Sequence, residues 1–103
     1  MLDRLTKAMF AENLQTVFTL QLTPTQAVEL TLIEVREGHS TPRQEQFALL
    51  FCGPMATPFW QGMWPMHHPV LGQFDLFLVP VGRGEEGFYY EAVFNRLLSF
   101  KPT

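Results

Sequence analysis

The chain has 103 residues, 47% of them hydrophobic and only 17% charged, with a formal net charge of −3. That length supports one domain with one core, and a charged share below the usual ~25% leaves much of the surface neutral, aromatic or covered by a partner. The basic residues are scattered from Arg4 to Lys101 and give no electrostatic footprint for a phosphate backbone, so nucleic-acid binding is not expected.

Cysteine usage and hydropathy narrow the setting. A single cysteine, Cys52, excludes an internal disulfide and a multi-cysteine zinc site and fits a reducing compartment. The opening residues have mixed charge and no signal-type apolar core, and no apolar run approaches the roughly 18 residues of a membrane span. The expectation is a soluble, cytoplasmic domain over residues 1–103, with no membrane or cofactor involvement.

Leu2, Leu5 and Met9 recur at helical spacing, with Phe10 and Leu14 widening the stripe, which predicts an amphipathic helix over 3–13. From Val17 the period changes to two. Phe18, Leu20 and Leu22 alternate with polar residues, "TPTQ" at 23–26 is turn chemistry, and strands are predicted at 16–22 and 27–35. In the second strand Val28, Leu30 and Leu32 share one face while Ile33 and Val35 take the other, which predicts a bulge near Leu32.

A polar connection, "REGHSTPR", leads to a strand at 45–52 whose two faces are both apolar, so it is expected to be central and covered on both sides. Further strands are expected at 61–66, 73–81 and 88–95, the last two joined by a "GRGEEG" hairpin loop. Six strands with tight turns and one helix predict a mainly β fold: a small antiparallel barrel or strongly curved sheet with the N-terminal helix packed against it. Closure would also remove open strand edges.

The residues that could carry chemistry are few. His67 and His68 are adjacent, and in an extended chain their side chains point to opposite faces, which argues against a shared metal. The preferred role is a corner: His68-Pro69 favours an extended shape, Val70-Leu71 tucks inward, Gly72 permits the turn, and one imidazole bonds a nearby backbone carbonyl. Cys52 lies among Leu and Phe and reads as an apolar filler. Asp75 and Glu91 lie on consecutive strands that a hairpin could bring side by side, the arrangement acid–base chemistry would need. "GRGEEG" is no phosphate loop, because no helix follows it.

The aromatic and methionine-rich stretch Phe59, Trp60, Met63, Trp64 and Met66 is the best candidate interaction surface, since flat rings and flexible thioethers suit protein contacts. The same loop could instead fold over the open end of a barrel, and both roles are compatible. An alternative is a small-ligand binder whose mouth is lined by Trp64, Phe88 and Tyr90, with Gln61 or His68 as polar contacts.

The segments "FALLFCGP", "QGMW", "HHPVLGQFDLFLVPVG" and "YYEAVFNRL", in that order and spacing, resemble a family of small uncharacterised bacterial domains of unknown function. The resemblance runs from Phe18 onward, with His68 matching the family's His-Pro and His67 as an addition. Residues 55–60 are more apolar than the corresponding linker. The resemblance attaches no activity, cofactor or catalytic residue. It implies an accessory to a phage-tail-like assembly, encoded near collar or fibre proteins. The resulting expectation is a non-enzymatic structural or interaction module with a protein partner or a second copy of itself.

Overall fold

A computed structural model describes residues 4–97 of the chain. One helix, α1 (Lys7–Glu12), precedes six strands: β1 (Val17–Thr23), β2 (Gln26–Glu37), β3 (Gln44–Gly53), β4 (Gly62–His68), β5 (Gly72–Gly84) and β6 (Gly87–Leu97). The helix is shorter than expected, and the residues before Arg4 in its proposed span lie outside the described part. Thr6 starts it, accepting a hydrogen bond from the Met9 backbone at 3.1 Å. Asn13 ends it, donating through its side-chain amide to the Met9 carbonyl at 2.8 Å. Gln15 then takes a left-handed φ of 64°, which turns the chain abruptly into β1.

The strands close into a barrel in the order β1-β2-β3-β6-β5-β4, every neighbouring pair antiparallel. β4, β5 and β6 follow one another as hairpins, while β3 lies beside β6 and reaches β4 by a long connection over one end, a Greek-key path. The closing ladder between β1 and β4 is short: Thr19 faces His67 and Leu20 faces Met66. It stops one register step before Pro65, which has no N–H to contribute.

Period-two burial sets the wall. Phe18 and Leu20 from β1, Val28, Leu30 and Leu32 from β2, Phe47, Leu49 and Phe51 from β3, and Phe74, Leu76 and Leu78 from β5 all point inward. The expected bulge is present: the β2–β3 register shifts between Leu32 and Glu34, so Val35 returns to the core side opposite Leu49.

Three expectations need correction. The outer face of β3, at Ala48, Leu50 and Cys52, is only half-buried, because no second layer covers the barrel wall. β4 runs through both histidines, so the corner begins at Pro69. β5 and β6 extend to Gly84 and Gly87, which leaves only Glu85 and Glu86 as the turn. A register shift between Pro80 and Gly82 absorbs Pro80 in mid-strand. Gly87 is obligatory in the new hairpin: its φ is +151°, and a Cβ there would sit 2.0 Å from the Gly53 carbonyl oxygen.

Two aromatic layers fill the two ends of the interior. At one end Phe10 of α1 is inserted among Phe18, Phe47, Phe74 and Phe94, with ring centroids 5.6–6.4 Å away. Phe47 and Phe94 stack at 4.5 Å, and the Arg96 guanidinium lies over both rings while bonding the Leu5 carbonyl and Glu45. Six residues further along β3, about 20 Å at the rise of a strand, the other end is closed by the β3–β4 connection.

Candidate functional site

Gly53 ends β3 where a Cβ would meet Leu30 and the Tyr90 ring, and the chain then crosses the barrel mouth as an aromatic cap. Phe59 drops inward. Its ring stacks on Tyr90 with centroids 3.9 Å apart and planes within 8°, and meets Trp64 edge-on at 5.5 Å. Its backbone N–H donates to the Tyr90 hydroxyl at 3.3 Å. Burial raises the Tyr90 phenol above its ordinary value, with the Phe59 N–H pulling the other way and Cys52 adding a small further rise.

With Phe59 anchored, its neighbour faces away. Trp60 is 86% exposed, and its carbonyl accepts from Trp64 Nε1 at 3.0 Å. The indole of Trp60 is thus presented to solvent from a backbone fixed on both sides. Along β4 the alternation continues. Met63 is 62% exposed and opposite Phe77 of β5; Trp64 is half-buried; Met66 is buried in the core. Met63, Phe77 and Val93 line one shallow groove of about 320 Å³. The expected interaction surface therefore divides: Trp60, Met63 and part of Trp64 face outward, whereas Phe59 and Met66 belong to the interior. Gln61 is exposed beside Trp60.

The histidines also divide. His67 points outward, while His68 is 2% exposed with its ring 4.4 Å from Phe18. Its Nδ1 accepts from the backbone N–H groups of Val70 at 3.1 Å and Leu71 at 3.2 Å, and its Nε2 lies 2.9 Å from Thr16 Oγ1. The imidazole thus staples the β4–β5 corner through backbone donors, not through the carbonyl expected from the sequence. Leu71 packs against the core, but Val70 is exposed.

The remaining candidates do not converge. Asp75 of β5 faces Pro65 of β4, while Glu91 of β6 faces Val79. Asp75 is four residues from the β5 position opposite Glu91, about 13 Å along the strand, so the expected carboxylate pair is not formed. Glu91 instead lies 3.8 Å from the Arg36 guanidinium. Cys52 is half-buried, and burial, with the Glu86 charge added, raises its thiol pKa, the opposite of what a nucleophile needs. Among the described residues, no three His, Cys, Asp or Glu side chains are grouped to hold a metal ion.

One feature lay beyond sequence reasoning. A broad open concavity of about 800 Å³ runs over the outer faces of β1 and β2 and is bounded by Pro54, Thr57 and Glu86. Thr19, Glu29, Thr31 and Cys52 line it, brought together from separate strands by register alone.

Comparison with protein families places this architecture. A family model described as a domain of unknown function, DUF6916, matches residues 5–94, from Leu5 beside Arg96 through every strand to Phe94. The chain belongs to the DUF6916 family. No curated protein and no solved structure matches it. In this DUF6916 domain the matched span contains both the aromatic cap and the His68 corner. No helix among the described residues is long and apolar enough to cross a membrane.

Proposed function

We propose that this domain is a non-enzymatic interaction module that docks with a protein partner through the outer side of its aromatic cap, centred on Trp60 and Met63. The observation that carries this reading is the fixed outward presentation of Trp60. A large apolar side chain gains most on binding when little freedom remains to be lost, and tryptophan dominates contact energetics when buried at an interface. The Met63–Phe77 pair and the groove beside it extend the apolar surface around β4 and β5.

The small-ligand barrel is less well supported. Tyr90, named above as a mouth residue, is covered by Phe59, and Phe10 fills the other end of the interior. A bacterial source, a cytoplasmic location and a place in a phage-tail-like assembly are parts of the same proposal and rest on the resemblance described above and on the free thiol of Cys52.

In-cell photo-crosslinking tests it. A photoreactive residue in place of Trp60 or Met63 should give one discrete higher-mass product, and the same residue in place of Glu29, on the β1–β2 face, should give none. No discrete product at 60 or 63, or an equal product at 29, overturns the proposal.

A further inference from the structure

His68 ends a hydrogen-bond chain whose direction is fixed at every step. Because Nδ1 accepts two backbone N–H groups, it carries no hydrogen, so the ring hydrogen is on Nε2 and is donated to Thr16 Oγ1. The Thr16 hydroxyl in turn donates to the Asn13 carbonyl at 2.6 Å, and Asn13 is the residue that ends α1. One neutral imidazole thus joins the β4–β5 corner to the helix that plugs the barrel.

We propose that His68 is a proton-operated latch: protonating its imidazole breaks its two bonds to the corner amides and drives the ring out of its buried place, which frees the β4–β5 corner and, with the Thr16 link lost, the end of α1 and the 13–16 connection, while the barrel strands stay paired. A proton on Nδ1 would aim a third N–H at the two already directed there, with no acceptor at hand. The groups around the ring give such a charge no relief. From β1 it meets the Phe18 ring, from the 13–16 connection the neutral Thr16 hydroxyl, and from the corner two backbone amides. The titratable group acting on it is the adjacent His67, which opposes a second positive charge.

Burial, with that smaller effect of His67, holds the His68 pKa below its ordinary 6.5. The folded form therefore favours the neutral ring. The stabilisation is complete above pH 6.5 and is lost progressively as pH falls below it, because the unfolded chain then takes up the proton more readily. The connection that must yield is already strained at Gln15, and it is held to β2 by Gln15 N–H to the Leu32 carbonyl at 2.7 Å.

Nitrogen NMR of the imidazoles and amide hydrogen exchange on the full chain test this. At about pH 7.5, His68 should show the neutral form with hydrogen on Nε2. Between about pH 7.5 and about pH 5, exchange at Val70 and Leu71 in the corner and at Phe10, Asn13 and Gln15, corrected for its intrinsic pH dependence, should accelerate at least about tenfold more than at Leu49 and Ala92 in the wall. His68→Asn keeps an acceptor for the corner amides but cannot titrate, and should abolish the difference; His67→Gln should retain it. Equal acceleration in helix and wall, no acceleration, hydrogen on Nδ1, or persistence in His68→Asn overturns the latch. If His68→Asn does not fold, the tautomer and the exchange ratio of the native chain decide.

Discussion

The two ends of this barrel are closed by the same device and left in different states. At one end a helix inserts Phe10, and every neighbouring ring turns toward it; Arg96 covers the layer and His68 ties down the helix terminus. At the other, a loop inserts Phe59 onto Tyr90, and the next residue, Trp60, remains in water. The first arrangement buries its inserted ring completely. The second satisfies the loop but not the indole, which is why the functional reading belongs to the cap.

The difference can be broken from either side. The largest expected effect is Phe10→Ala, which empties the centre of a five-ring layer and should cost about 3–5 kcal/mol in chemical denaturation. Phe59→Ala should cost about 3 kcal/mol in the same measurement, since the loop has fewer layers above it, and should also shift the Trp60 fluorescence because the platform is lost. Tyr90→Phe leaves the Phe59 N–H without its acceptor in a buried position and should cost about 1–2 kcal/mol while preserving the ring stack. Trp60→Ala should change stability by no more than about 0.5 kcal/mol yet remove partner capture. A destabilisation by Trp60→Ala comparable to that of Phe59→Ala would show that the indole supports the fold and has no spare contact role.

Much of this was legible in the residues, and the parts that were not share a cause. Alternation located all six strands, and the switch of face after Leu32 marked the bulge that the β2–β3 register contains. The aromatic stretch was recognisable as a group, but which rings turn inward depends on where the loop meets Tyr90, a residue some thirty positions later. Phe59 and Trp60 are adjacent and equally apolar; only the tertiary stack separates them.

Register explains the other departures. Asp75 and Glu91 sit on paired strands, yet the turn at Glu85 and Glu86, tighter than "GRGEEG" suggests, together with the register shift between Pro80 and Gly82 sets Val79 opposite Glu91. Strand geometry separates the adjacent histidines, but β4 continues through His68 and Val70 stays exposed, so of the expected corner only Leu71 turns inward. The identity of the His68 partners was hidden, because Thr16 lies 52 positions earlier in the chain and reaches the corner only once β1 closes against β4.

The most direct measurement is a hydrogen-exchange footprint of the domain bound to the partner captured at position 60, compared with the free chain. Slowed exchange over residues 59–64 and the adjoining part of β5, with α1 unchanged, is the expected result. Protection confined to the α1 end, with the aromatic cap exchanging as in the free chain, would contradict it.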